Sequence, residues 1–174
     1  MRLKSKLANR ILNSKLKALS RNKKIFNLDS AQTAGILWEI GQETSFRKIE
    51  NELQNSGVKT TGLCYFPAKK TVIPQGINGF TRKQVSWWLE IPKAKVSDDF
   101  IQQKFDILID LSSQQSFPIV YLTALSNASF KIGYSGTAVN CFDWNIEFAE
   151  LPETEQLAEQ ILYYLKRINK TTLE

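Results

Sequence analysis

Residues 33–66 constrain the fold more tightly than any other stretch. Residues 33–40 (TAGILWEI) are an apolar run of strand length. Gly41-Gln42-Glu43-Thr44-Ser45 reads as a turn. Residues 44–56 then place Phe46, Ile49 and Leu53 on one helical face, and Gly57 supplies the stop. Residues 58–66 are a second apolar run, closed by Pro67. A strand, a helix and a strand in so short a span form a βαβ unit, which requires a parallel pair and a right-handed crossover.

The alternation continues downstream. Residues 105–111 (FDILIDL) are nearly continuous in apolar side chains, as expected of a strand covered on both faces. Ser116 is placed to cap a helix. Pro118 lies in its first turn, and Val120, Tyr121, Leu122 and Leu125 make it a buried one. Residues 130–134 and 144–148 are further strand candidates. Residues 152–170 read as an amphipathic helix with Leu157, Ile161, Leu165 and Ile168 on one face. Its acids lie near the start, and Lys166, Arg167 and Lys170 lie at the end, as the helix dipole favours. Between residues 67 and 104 the pattern is less regular. Residues 71–73 and 85–91 read as short strands, with one of Trp87 and Trp88 in the core and the other outside, and Ser97 caps a helix over 98–104. The expected fold is α/β: a Rossmann-like, mostly parallel sheet with flanking helices, preceded by a basic N-terminal helix. Residues 1–26 form a basic helical arm, 27–32 a linker and 33–174 a single Rossmann-like domain.

Charge sets the arm apart. Arg2, Lys4, Lys6, Arg10, Lys15, Lys17, Arg21, Lys23 and Lys24 all precede the first acid, Asp29. The chain as a whole is +6, so those nine cations sit on a body of net charge −3. Residues 3–21 have helical composition, with leucines in two adjacent clusters. Nine cations on one arm are suited to the phosphates of RNA, of a ribonucleoprotein or of an anionic membrane surface. The arm has no aromatic side chain before Phe26, which argues against sequence-specific single-strand recognition.

The composition also excludes chemistry. There is no histidine, so Ser-His-Asp and Cys-His nucleophile activation are out, as are His-containing zinc sites. Two cysteines, Cys64 and Cys141, cannot build a four-cysteine zinc site and read as free buried thiols. No apolar run approaches the roughly 18 residues of a membrane span, and cations interrupt the N-terminal apolar residues, so neither a signal peptide nor a transmembrane segment is expected and the compartment is cytoplasmic. There is no GxGxxG and no P-loop.

In an open parallel sheet a ligand sits beyond the carboxyl ends of the strands, at the topological switch point. If strands 33–40 and 105–111 are neighbours, Gly41, Glu43, Thr44 and Ser45 meet Ser112, Ser113 and Ser116 there, both loops leading into helix N-termini. Thr44, Ser45 and Ser116 serve equally well as plain caps. Asp106 and Asp110, four apart on one strand face, complete the candidates, with Asp110 nearer the carboxyl end. No catalytic residue, metal or cofactor is expected.

The segment over residues 105–136, with FDILIDLS, then FP, a short helix, ALS and FKIG, resembles a family of uncharacterised bacterial proteins of similar length. That resemblance implies no activity. The same segment is similar to part of the N-terminal Rossmann-like half of heptosyltransferase-type glycosyltransferases, in which a strand like DLVIDL precedes a helix and a later strand carries an IG dipeptide. Those enzymes need a second such domain, for which 174 residues leave no room. Their Gly-Asp context is replaced here by Gly41-Gln42-Glu43. The expectation is therefore a non-enzymatic accessory or scaffold protein whose arm contacts a polyanion such as RNA. The alternatives are a small-ligand or glycosyltransferase-like domain using the switch-point loops, and peripheral attachment to an inner membrane through the arm.

Overall fold

The computed structural model describes residues 2–68, 71–114, 116–136 and 141–168, and the side chains from Lys6 onward. The side chains of Arg2, Leu3 and Lys4, and the whole of Lys170, lie outside the described residues. Helix α1 (Arg2–Ala18) is followed by β1 (Thr33–Glu39), α2 (Glu43–Asn55), β2 (Lys59–Phe66) and β3 (Gly79–Thr81). Then come a short 3-10 turn (Arg82–Gln84), α3 (Lys95–Gln102), β4 (Ile107–Asp110), α4 (Phe117–Leu125), β5 (Phe130–Gly133), β6 (Trp144–Asn145) and α5 (Thr154–Arg167). The six strands form one sheet in the order β3-β2-β1-β4-β5-β6, parallel at every pairing. This is the Rossmann order, and the expected mostly parallel sheet is wholly so.

Strand alternation divides the core between the two faces. Ile36, Trp38, Cys64, Ile107, Ile109, Phe130 and Ile132 meet Phe46, Ile49 and Leu53 of α2 and Leu157, Ile161 and Leu165 of α5. Leu37, Leu63, Tyr65, Phe80 and Leu108 meet Phe100 and Ile101 of α3, Ile119 and Leu122 of α4, and Leu12 of α1. Leu12 is fully buried, so α1 is an integral layer of this face.

Two glycines are required by geometry. Gly57 ends α2 at φ +81°, a conformation that a Cβ disfavours. Gly62 on β2 lies under the Phe46 ring, which stacks on Trp38 at 4.6 Å between centroids. A Cβ at Gly62 would stand 2.7 Å from that ring. Gly62→Ala is therefore expected to destabilise by about 1–3 kcal/mol through overpacking. Urea unfolding checks this; an unchanged midpoint would show that the ring gives way freely.

Several local expectations are corrected. Residues 71–73 are not a strand: Val72 is 89% exposed, and the third strand is β3, whose Phe80 stacks on Tyr65 at 4.9 Å. Proline at 67 and 74 brackets the former segment, whereas Phe80 has a partner to pack on. Residues 85–91 form not a strand but a hairpin, closed by an antiparallel bridge between Val85 and Pro92. Both Trp87 and Trp88 are exposed on it, rather than one being core. Helix α3 begins at Lys95, with Ala94 at its N-cap position, so Ser97 lies inside the helix, fully buried, instead of capping it. Ser116 does hold the N-cap position of α4, but its hydroxyl makes no capping hydrogen bond. The last strand shortens to Trp144–Asn145.

Candidate functional site

The switch in strand order falls between β1 and β4, which are paired neighbours. Their following loops therefore part in opposite directions and leave a crevice of about 240 Å³. Glu39, Ile40, Gly41, Gln42, Ser112, Ser113, Gln114, Glu153 and Thr154 line it. Of the residues expected here, Gly41, Ser112 and Ser113 reach it. Ser116 stands at its margin, where its hydroxyl donates to Glu39 Oε1. Glu43 and Thr44 are exposed in the first turn of α2, with Glu43 paired to Arg47 at 3.6 Å, and Ser45 is buried beneath the same turn. The other six lining residues were not singled out, and four of them bring polar groups that bear on the site: Glu39, Gln42, Glu153 and Thr154. Glu39 is the acid that ends an otherwise apolar strand, a legible signal. Gln42 donates from Nε2 to Leu111 O and to Thr154 Oγ1, both at 3.2 Å, tying the loops to α5. Glu153 and Thr154 arrive from the far end of the chain, and nothing local marks them.

The crevice is acidic in character. Burial pushes the Glu39 carboxyl above its usual range, opposed by its hydrogen bonds with Ser116. Asp110 lies beneath, 2% exposed. It accepts from the Ser112 N–H at 2.8 Å, the Ser112 hydroxyl at 2.6 Å and the Thr123 hydroxyl at 2.7 Å. Burial raises its pKa to about 6, the three hydrogen bonds pull it down and the charge of Glu39 adds to the rise. Asp106 takes no part. At the other end of β4 it accepts from the backbone N–H groups of Gln32 and Thr33, holding the chain as it enters the sheet. The carboxylates of Glu39 and Glu153 offer acceptors to hydroxyl or ammonium donors there. Among the described residues no group of three or more acids and cysteines is arranged to hold a metal ion.

The raised Asp110 pKa has a sign. The folded state binds this proton more tightly than the unfolded state, so the stabilisation is full below about pH 4 and is lost as pH rises through about 6. Relative to Asp110→Asn, the wild type is expected to lose about 2–3 kcal/mol between those limits. Thermal melts of both proteins from pH 4 to 7 read this difference; parallel curves would refute the assignment.

A second surface lies on α1. Ala8 and Leu12 are buried and Leu16 is half-buried against the α3–α4 side, so the opposite face points outward. Lys6, Asn9, Arg10, Asn13, Ser14 and Lys17 line a shallow groove of about 500 Å³ there, with no carboxylate among them. Lys15 is exposed, its ammonium 5.5 Å from the Tyr121 ring centroid. Arg21, Lys23 and Lys24 are placed differently. Arg21 Nη1 donates to Ala128 O and Ser129 O, and Nη2 meets Asp143 Oδ1 at 2.5 Å. Lys23 stands 3.3 Å from the same carboxylate. Lys24 lies 5.1 Å from the Phe26 ring, and its backbone N–H donates to Ser129 O. The segment after α1 is thus laid along the end of β5, while the free cations collect on the helix.

A match to a family of unknown function, DUF6913, extends over residues 4–168 and so takes in both α1 and the complete sheet. The chain belongs to the DUF6913 family. A search of curated proteins finds no match to it. Both cysteines of this DUF6913 chain are free thiols, Cys64 buried as expected and Cys141 only partly so, and burial pushes each up to about 12. No helix among the described residues is long and apolar enough to cross a membrane.

Proposed function

We propose that this protein is a non-enzymatic accessory protein that binds a polyanion, RNA or a ribonucleoprotein, on the outward face of α1. The observation that carries the reading is the burial of Leu12, which turns Lys6, Arg10 and Lys17 to solvent as one acid-free face. These residues recur at roughly helical intervals, so a run of phosphates can follow them along the axis. A body of net charge −3 beyond residue 24 favours approach from that side. The test is binding of the intact protein and of K6Q/R10Q/K17Q to bulk RNA across a salt series. Neutralisation is preferable to deleting residues 1–26, because deletion would also remove Leu12 from the core and Arg21 from Asp143. Equal binding by the two proteins would sink the reading. Flotation with anionic vesicles in place of RNA binding would transfer the face to a membrane surface.

A second reading, a small-ligand-binding domain, is favoured by the crevice at the β1–β4 switch point. It predicts thermal stabilisation by a hydroxyl- or amine-rich metabolite, abolished by Glu39→Ala. A broad metabolite screen with no shift in wild-type Tm would remove it.

A further inference from the structure

We propose that Trp87 and Trp88 form a stacking platform for the bases of single-stranded nucleic acid, acting together with the basic face of α1. The inference rests on the polyanion reading above and adds to it the class of polyanion: one with exposed bases. Trp87 is 79% exposed and Trp88 49%, with ring centroids 6.2 Å apart and planes inclined by 26°. Both are large aromatic side chains at the surface, and exposed aromatic pairs mark contact surfaces.

The platform is built rather than incidental. The hairpin is closed by the Val85–Pro92 bridge, by Ser86 N–H donating to Ile91 O at 2.8 Å and by Lys93 N–H donating to Gln84 O at 2.8 Å. Its tip turns through Glu90, whose N–H donates to Ser86 O at 2.9 Å and whose φ is +56°. A left-handed glutamate is costly and persists only where its surroundings over-determine it, as at binding sites. Here Arg82 pairs with the Glu90 carboxylate at 3.0 Å and also hydrogen-bonds Tyr65 at the end of β2. The hairpin is rooted through Val85 and Ala94 in the same apolar cluster that buries Leu12. The base of the hairpin and the buried face of α1 therefore pack on the same side of the sheet.

Charge selects the occupant. Residues 82–95 contain Arg82, Lys83, Lys93 and Lys95 and a single acid, Glu90, which is already paired. Lys83, Lys93 and Lys95, which flank the indoles in sequence, are exposed. Ring faces for bases with cations for the intervening phosphates are the two components of single-strand binding. A protein or lipid partner would use a broader apolar surround than Lys83, Gln84, Ser86 and Glu90 supply.

The experiment compares wild type, W87A/W88A and K6Q/R10Q/K17Q for binding to oligo(U), to heparin and to phosphatidylserine vesicles, with tryptophan emission recorded throughout. Heparin offers anions without bases. We expect oligo(U), and not heparin, to quench emission. W87A/W88A should bind oligo(U) roughly tenfold more weakly or worse, while keeping its heparin affinity, its salt slope and its Tm. Oligo(U) affinity unchanged in W87A/W88A, with heparin still bound through α1, overturns the platform alone. Failure of the wild type to bind either oligo(U) or heparin overturns the polyanion reading and the platform with it. Loss of heparin and oligo(U) binding to the same extent in W87A/W88A, or emission changes only with vesicles, assigns the indoles to something other than bases.

Discussion

Asp143→Ala is expected to cost about 3–5 kcal/mol and to lower Tm by roughly 10 °C. Asp143 joins three parts of the chain. One oxygen accepts from Arg21 at 2.5 Å and the other from the Lys131 N–H at 2.9 Å. The side chains of Arg21 and Asp143 are only 10% and 14% exposed, so solvent cannot replace the pair. Truncation leaves a mostly buried guanidinium with carbonyl partners but no counter-charge, and it orphans a strand-end N–H. Burial by itself would raise the Asp143 pKa; the hydrogen bonds from Arg21 and Lys131 and the charges of Arg21 and Lys23 outweigh it and hold the carboxyl below its usual range. A depressed pKa contributes stability that is present above the unfolded value and lost as pH falls through the folded one. The gap between wild type and variant should therefore be full at pH 7 and shrink below about pH 4. Denaturant unfolding at both pH values measures it. Amide exchange should also speed up in residues 19–28, which Arg21 fastens to the sheet. A loss under about 0.5 kcal/mol, no greater than for an ordinary surface substitution, would mean that the pair merely decorates the surface.

The second large effect concerns binding. K6Q/R10Q/K17Q is expected to weaken RNA binding by about tenfold to a hundredfold at low salt. The slope of log affinity against log salt should become shallower by about 2, since each lost phosphate contact on a single strand removes about 0.7. All three side chains are exposed, so Tm should move by no more than a surface substitution allows. Glutamine keeps the helix propensity and leaves the net charge at +3, three below the wild-type +6. A slope that stays constant while affinity falls would place the contacts elsewhere. An unchanged affinity would return α1 to a purely packing role and make the acidic crevice the next surface to probe.

Lys131 poses a related question of burial. It is 1% exposed, and its ammonium donates to Ala124 O at 2.8 Å, in the last turn of α4. Burial, with the nearby charge of Arg21, lowers its pKa to about 7. Its neutral form is favoured on folding, so this contribution is lost as pH falls from about 10 through 7. Around neutrality the protein therefore keeps charge on a buried amine only at a cost, which the carbonyl of Ala124 offsets in part.

The sequence by itself determined the layered α/β fold and most of its elements. Residues 33–66 carry their own punctuation: an apolar run, a helical face, Gly57 and Pro67. They folded into β1, α2 and β2 within one or two residues of the expected ends. The same held for β4 and α4, where local pattern and tertiary demand coincide. The charge asymmetry was equally legible, because nine cations without an acid need no structure to be noticed. What failed were segments whose local pattern fitted two outcomes. Residues 71–73 and 85–91 are apolar enough for strands, yet the sheet edge was taken by Gly79–Thr81, because Phe80 could reach Tyr65 and the core. The remaining side chains were left outside, and so two tryptophans became surface rather than one. The crevice shows the same division. Gly41, Ser112 and Ser113 could be placed from topology, since adjacent strands at a switch point bring their loops together. Glu153 and Thr154 joined them only because α5 crosses back over the sheet, and no local pattern encodes where a helix from the far end of a chain comes to rest. The cations from Lys6 to Lys24 were likewise sorted by contact rather than by type. Leu12, by packing against α4, and Asp143, beside β6, decide which of the described ones face water and which are held down, and the partners on α4 and beside β6 lie far away in sequence.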